Sequence, residues 1–130
     1  MASIFTKIIN GELPCHKLAE TDRYLAFLDI KPINPGHALC IPKREVDYIF
    51  EVEDDLLGGL MVFAKKVARA IQKEVTCKRI GVMVAGLEVP HAHIHLIPIN
   101  KIPDLNFANC KPASNEDLAA LAKKIRKQFN

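Results

Sequence analysis

The chain has 130 residues, of which 49% are apolar and 25% are charged. These proportions are typical of a soluble globular protein, and the length favours a single domain over residues 1–130. The net charge of +3 is modest and no basic run is interleaved with aromatic residues, which argues against a nucleic-acid polymer as a partner. A small anionic ligand is compatible with this charge.

The cysteines and the N-terminus indicate a cytoplasmic protein. The four cysteines are scattered, without the spacing of a zinc site or a redox pair, so we expect reduced and mostly buried thiols. The first residues lack the basic segment and long apolar run of a signal peptide. No apolar stretch is long enough to span a membrane, so no membrane partner is expected.

A short amphipathic helix is predicted at the N-terminus. Ser3 is a suitable cap for its first turn. Ile4, Phe5 and Ile8 share one face of this helix, and Asn10-Gly11 ends it.

Three strands follow. Residues 17–19 and 24–28 flank the polar turn 20–23, which predicts an antiparallel hairpin. Residues 31–36 form a rigid loop, because its prolines preset the backbone, and residues 37–41 then restart a strand.

The longest helical pattern begins at the acidic residues 53–55, after a short helical piece at residues 46–50. Gly58 and Gly59 each cost about 1 kcal/mol inside a helix relative to alanine. We therefore expect another backbone to approach there, such as that of a second subunit. The apolar stripe at 3.6-residue spacing contains Leu56, Leu57, Leu60, Met61, Ala64, Val67, Ala68 and Ile71.

The second half predicts two more strands and a last helix. Residues 79–85 are rich in β-formers, Gly86 permits a turn, and the next strand ends at Pro98, so the two strands should pair antiparallel. After an irregular loop at residues 99–112, Ser114 can cap an amphipathic helix. This helix is expected to bury Leu118, Leu121, Ala122, Ile125 and Phe129. The resulting plan is an α+β domain with a mainly antiparallel sheet covered by one long helix.

Three of the five histidines alternate along one segment, at His91, His93 and His95. In an extended strand they would line one face about 7 Å apart, while Ala92, Ile94 and Leu96 line the other. Several imidazoles could then surround one small anionic group. A chance alternation would have to place three histidines at period 2 opposite an apolar face.

Two chemistries suit such a row. Imidazoles bind zinc, copper and iron, but neighbouring histidines share a metal only if the strand bends, and no Cys or Asp lies at ligand spacing beside them. Nucleophilic catalysis needs no such ligand. A neutral imidazole attacks phosphorus, its neighbours hold the oxygens, and a protonated neighbour assists the leaving group.

The segment His91-Ala92-His93-Ile94-His95-Leu96-Ile97 matches the pattern His-φ-His-φ-His-φ-φ, with φ apolar, that names the histidine triad superfamily of nucleotide hydrolases and transferases. Residues 3–9, 25–30 and 35–43 also resemble segments of this family in order, so the resemblance covers residues 3–98. It implies a HIT-like fold: a five-stranded sheet, a long central helix, and short N-terminal and C-terminal helices. The loop and helix of residues 99–130 lie outside it.

The resemblance implies a role for each polar residue. His93 matches the nucleophile that attacks the α-phosphorus and forms a covalent nucleotidyl-enzyme. His95 matches the histidine on the phosphate and leaving-group side, and His91 and His37 match partners that orient or polarise the nucleophile. Asp29 matches the carboxylate that accepts both ribose hydroxyls.

The resemblance also implies a base pocket and a phosphate loop. Gly86 opens a loop whose backbone approaches the phosphate, and Glu88 lies close by, where a carboxylate would repel phosphate unless it is protonated or turned away. Ser3 and Thr6 occupy positions where many bacterial relatives carry a zinc-binding Cys-x-x-Cys, so we expect no structural zinc and no cofactor. The purine pocket would consist of Ile4, Phe5, Ile8, Phe27, Ile30 and Leu39.

The activity implied by the resemblance is hydrolysis of purine nucleoside phosphoramidates or related nucleoside 5'-monophosphate conjugates, by a homodimer joined across the long helix and a continued sheet. Two alternatives remain open. One is a dinucleoside polyphosphate hydrolase, as in the fragile histidine triad branch. The other is a nucleotide-binding scaffold with little catalysis.

Overall fold

A computed structural model describes residues 2–129, and within them five strands form one sheet with the order β1-β2-β3-β5-β4. Every neighbouring pair is antiparallel, which confirms the predicted fold class. The elements are α1 Ile4–Ile9, β1 Lys17–Glu20, β2 Tyr24–Leu28, β3 Ala38–Pro42, α2 Asp54–Glu74, β4 Arg79–Met83, β5 Ile94–Ile99 and α3 Asn115–Arg126. Single 3-10 turns cover Ile49–Glu51, Ile102–Asp104 and Phe107–Asn109.

One face of the sheet packs against α2 and α3. Side chains alternate along each strand, so Ala38 and Cys40 of β3 and Ile94 and Leu96 of β5 all point towards these helices. Ala92, Ile94 and Leu96 lie in this core, as predicted. The fully buried side chains of α2 include Leu60, Val67 and Ile71. Truncation of such a side chain to alanine typically costs about 2–5 kcal/mol.

The opposite face carries two separate apolar clusters. The first joins Phe5 of α1 to the strands through Leu25, Phe27, Leu39 and Ile41. The second contains Ile33, Ile97 and Ile99. His95 of β5 pairs with Leu39 of the first cluster and is followed two residues later by Ile97 of the second. This places the histidine segment between the two clusters.

The expectation for Gly59 is wrong. The Tyr24 hydroxyl donates to the Leu56 carbonyl oxygen at 2.9 Å, and a Cβ at Gly59 would overlap that hydroxyl. Gly59 therefore makes room for a side chain of the same chain and not for another backbone. Gly58 has open space around it, so its role as a contact with a second subunit stays a prediction.

Several local expectations also need correction. Phe63 is a buried member of the α2 stripe that the pattern missed, whereas Met61 is 47% exposed. Phe129 lies beyond the end of α3 and is 36% exposed. Of the cysteines only Cys40 is buried, and the others are half-buried. Among the described residues, no helix combines the length and apolar character needed to cross a bilayer.

Candidate functional site

The histidine segment enters the sheet only at its end. β5 begins at Ile94, so His91 and His93 precede it in an irregular stretch that is held by a hydrogen bond from the Ala92 N–H to the Val46 carbonyl oxygen at 2.7 Å. The expected row along one strand is therefore wrong in detail. The rings still meet, since the centroids of His93 and His95 are 4.9 Å apart. All four predicted histidines are buried, with exposed fractions of 7% or less.

The protonation form of His93 follows from one hydrogen bond. Its Nδ1 lies 2.7 Å from the carbonyl oxygen of His91. A carbonyl only accepts, so the neutral ring carries its proton on Nδ1 and has a lone pair on Nε2. The rings of Phe5 and His95 flank His93, with centroids 5.0 and 4.9 Å away. His93 thus has the tautomer that a nitrogen nucleophile needs.

The same reasoning assigns His37 and His95. The Ile33 N–H donates to Nδ1 of His37 at 3.0 Å, so the proton of neutral His37 sits on Nε2. That Nε2–H donates to Nδ1 of His95 at 2.9 Å, which leaves His95 protonated on Nε2. The structure therefore places His37 against His95, whereas it was expected to orient the nucleophile His93. Oδ2 of Asp29 lies 3.6 Å from His37 Nε2.

Burial keeps these imidazoles neutral. Desolvation, reinforced by His93 and His37, lowers the pKa of His95 to about 3. Desolvation also lowers the pKa of His37, although Asp29 opposes it, and the pKa of His91. Burial therefore disfavours the protonated form of His37, His91 and His95, and neutral His95 offers its Nε2–H as a donor beside the His93 ring.

His91 is occupied on both ring nitrogens. Its Nε2–H donates to the Pro42 carbonyl oxygen at 2.8 Å, and its Nδ1 accepts from the Ser3 hydroxyl at 2.9 Å. Neither nitrogen is left for a ligand, so among the three alternating histidines only His93 and His95 have a ring nitrogen available to one. His91 contributes its backbone carbonyl, which holds His93.

Glu45 completes this network and was missed in the sequence. Its Oε1 accepts from the Ser3 backbone N–H and from the Thr6 hydroxyl, both at 2.6 Å. These hydrogen bonds, that of Thr6 first, lower the pKa of Glu45 to about 2. Only the fold brings residues 3, 6, 45 and 91 together, so no local pattern could have indicated the cluster. At these two positions the Ser3 hydroxyl bonds to His91 and the Thr6 hydroxyl bonds to Glu45.

The six predicted pocket residues divide into two groups. Ile4 and Ile30 are 56% and 62% exposed and offer apolar surface to a ligand. The others are buried in the first cluster or packed against it: Phe5, Phe27, Leu39 and Ile8. Gly86 has a φ of +77°, which only glycine adopts readily, and Glu88 in the same loop is exposed.

One further aromatic residue touches the site. The ring of Phe107 lies 4.8 Å from that of His95, centroid to centroid, at an interplanar angle of 61°. Phe107 belongs to the loop after β5, which the sequence showed only as irregular. Its contact depends on how that loop folds back, so sequence reasoning missed it.

A cation could also be accommodated. Asp29, His37 and His95 each bring a donor atom within 4.8 Å of the others, among the residues the structure describes. The sequence had shown no Cys or Asp at ligand spacing beside the histidines, but the fold brings Asp29 to them from the end of β2. The same atoms form the hydrogen bonds described above, so metal dependence has to be tested directly.

The buried imidazoles predict a pH dependence of stability. Below the ordinary histidine pKa near 6.5, the unfolded chain binds protons at positions 37, 91 and 95 that the folded protein does not bind, because burial lowers the pKa of His37, His91 and His95. The free energy of unfolding should therefore be highest above about pH 7 and should decrease as the pH falls. The decrease is up to about 1.4 kcal/mol per pH unit for each histidine. Urea denaturation between pH 7.5 and about pH 5 measures the slope. His95→Gln should reduce this slope. A flat profile would contradict this account.

The two serine caps form a matched pair. Ser3 accepts from the Thr6 N–H and Ser114 from the Asp117 N–H, but Ser3 alone also reaches His91. Ser114→Ala should cost about 1 kcal/mol as a lost cap. Ser3→Ala should cost about 1–3 kcal/mol more, because Nδ1 of His91 then has only the Thr6 hydroxyl within reach, at 3.4 Å, and that hydroxyl already donates its proton to Glu45. Urea denaturation compares the two variants, and equal losses would show that the bond to His91 contributes nothing.

Comparison with known proteins identifies the family of the chain. The sequence matches the HIT domain over residues 10–102. It is 39% identical over 128 residues, or 96% of each chain, to an adenosine 5'-monophosphoramidase of Schizosaccharomyces pombe. A Hit-like protein of Bartonella henselae, described as involved in cell-cycle regulation, superposes with a TM-score of 0.86 at 32% identity, covering 97% of this chain and 95% of that one. A hypothetical histidine triad nucleotide-binding protein of Sulfolobus tokodaii gives 0.85 at 29% identity, covering 96% and 90%. The predicted superfamily is confirmed, and the chain belongs to the HIT domain family.

Proposed function

We propose that this protein is a hydrolase of purine nucleoside phosphoramidates or related nucleoside 5'-monophosphate conjugates. The observation that carries the proposal is the hydrogen bond from Nδ1 of His93 to the His91 carbonyl, which leaves the lone pair of Nε2 available beside the Nε2–H of His95. The Schizosaccharomyces pombe relative is named for an activity of this kind.

The first step would transfer the nucleotide to His93. Its Nε2 lone pair forms a bond to phosphorus while the P–N bond of the substrate breaks, and the electron pair leaves with the nitrogen. The substrate nitrogen takes a proton from solvent before departure and leaves as a neutral amine. The positive charge that develops on the His93 ring is stabilised by the His91 carbonyl oxygen on Nδ1–H.

The second step would release the nucleotide. Water attacks the phosphorus, the bond to His93 Nε2 breaks with its electron pair returning to the ring, and one proton passes to solvent. His95 donates its Nε2–H to a non-bridging phosphate oxygen in both steps. Two successive hydrogen bonds, from the Ile33 N–H to His37 and from His37 to His95, orient this donor.

The nucleoside would lie on the side of α1. The exposed apolar surfaces of Ile4 and Ile30 would contact the purine, and Asp29 would accept the ribose hydroxyls. One carboxylate oxygen of Asp29 already accepts the Lys31 N–H at 2.9 Å, which fixes the orientation of the group. Each carboxylate oxygen can accept more than one hydrogen bond, so Asp29 can accept the ribose hydroxyls in addition to the Lys31 N–H.

The test is turnover of adenosine 5'-phosphoramidate by the purified protein with a chelator present. His93→Ala should lose at least roughly a thousandfold in kcat, as expected for loss of a nucleophile. His16→Ala, outside the site, should keep the wild-type rate. Undiminished turnover by His93→Ala would refute the role of His93. Loss of wild-type turnover on chelation would assign the site at Asp29, His37 and His95 to a metal.

We further propose that the protein is a homodimer joined through β4 and α2. β4 is one of the two edge strands of the sheet. A mostly apolar depression beside it is lined by Ile49, Asp54, Leu57, Gly58, Met61, Val82, Val84 and Ile94. Analytical ultracentrifugation should give the mass of a dimer for the wild type. Met61→Glu should give the mass of a monomer, because it places a charge in the proposed apolar interface. Val62→Glu is the matched control, since Val62 is as exposed but lines a different groove. A monomeric wild-type protein would refute this proposal.

A further inference from the structure

Phe107 closes the side of the histidine pair that faces away from α1. His93 has the ring of Phe5 on one side and that of His95 on the other. His95 in turn contacts His93, His37 and Phe107, with centroids 4.9, 5.1 and 4.8 Å away. The two phenylalanines therefore stand at opposite ends of the His93–His95 pair.

The loop that carries Phe107 is held in place by hydrogen bonds. The Lys111 N–H donates to the Pro32 carbonyl oxygen at 3.2 Å, and the Ala113 N–H donates to that of Ile30 at 3.1 Å. The side chain of Asn106 accepts from the Ala108 N–H at 2.9 Å, which caps the turn that contains Phe107. Phe107 is thus fixed to the segment that follows Asp29 and leads to His37.

Part of the Phe107 side chain is exposed, so it could contact a ligand. Its exposed fraction is 36%, whereas Phe5 and Phe27 are 7% and 4% exposed. In-line attack by His93 puts the leaving nitrogen on the far side of phosphorus from His93, and Phe107 lies beyond His95. A phenyl ring in this place favours aromatic or apolar groups over small polar ones, because aromatic rings pack edge to face and lose water on contact.

We propose that Phe107 is the specificity-determining wall of a subsite for the group attached to the nucleotide phosphorus, and that this subsite prefers an aromatic or apolar amine. The inference rests on the proposed function for the orientation of the nucleotide. The contact itself does not, since it is made by this chain's own residues.

Binding of two non-hydrolysable analogues tests the subsite without turnover. In adenosine 5'-methylphosphonate and adenosine 5'-(3-phenylpropyl)phosphonate, carbon replaces the leaving nitrogen, and only the second compound reaches beyond the phosphorus. Calorimetric titration compares the wild type with Phe107→Ala, Phe107→Leu and Phe129→Ala. Phe129 is the matched control, because it has the same exposed fraction but lies at the C-terminal end of the chain, in a groove lined by α2 and β1 residues.

The wild type should bind the phenylpropyl compound about tenfold more tightly than the methyl compound. Phe107→Ala should remove most of this preference, Phe107→Leu should keep part of it, and Phe129→Ala should keep all of it. Equal weakening of both analogues by Phe107→Ala would overturn the proposal, because Phe107 would then contact the nucleoside. An unchanged preference would overturn it as well. Failure of wild-type turnover on phosphoramidates would count against the proposed function alone.

A second readout separates this role from a structural one. Burial is the main cause of the low pKa of His95, and Phe107 covers that ring. Phe107→Ala should admit water and raise the pKa of His95 towards its ordinary value, measured by NMR titration of the ring protons. Phe129→Ala should leave it unchanged. If the pKa of His95 were the same in Phe107→Ala as in the wild type, the Phe107 ring would not shield His95 from water. That result would contradict the proposal that Phe107 forms a wall of the subsite.

Discussion

The hydrogen bond between Nδ1 of His93 and the carbonyl oxygen of His91 is the constraint on which the chemistry depends. This bond holds the proton of neutral His93 on Nδ1 and leaves the lone pair of Nε2 available to a substrate. The bond is useful only if the His91 backbone stays still. His91 is fixed by three contacts: its ring bonds to Ser3 and to Pro42, and its N–H bonds to the Val89 carbonyl oxygen. A residue with no ring atom free for substrate therefore still sets the state of the nucleophile.

The same architecture explains why so many imidazoles can be buried together. Apart from Nε2 of His93 and of His95, every ring nitrogen named in the network faces a partner of the right kind. No buried side-chain nitrogen or oxygen among the described residues lacks a hydrogen bond. Neutral rings avoid the large cost of burying charge. Burial thus disfavours a positive charge on His37, His91 and His95, whereas an anionic phosphate beside them would favour a protonated imidazole. The cost is a dependence of stability on pH that a core of aliphatic side chains would not have.

The sequence predicted what local pattern determines. Ser3 and Ser114 cap their helices, β2 lies where the turn residues indicated, and the α+β class is confirmed. The contact of His37 with His95 could not be predicted in the same way, because it depends on the register of β3 against β5 and on the Ile33 N–H in the preceding loop. Glu45 and Phe107 are further cases, since each reaches the site from a segment whose own sequence shows only a loop. Gly59 was misread for the same reason: its neighbour, Tyr24, lies on a strand far away in sequence.

The central claim is that His93 forms a bond to phosphorus. Rapid acid quench of the wild-type protein during turnover of an adenosine phosphoramidate, followed by intact-mass and fragmentation mass spectrometry, would measure this directly. The account predicts one adenylyl group per chain, attached to His93 and released when turnover is allowed to finish. An adenylyl group on another residue, or steady turnover with no protein-bound nucleotide at any quench time, would contradict it.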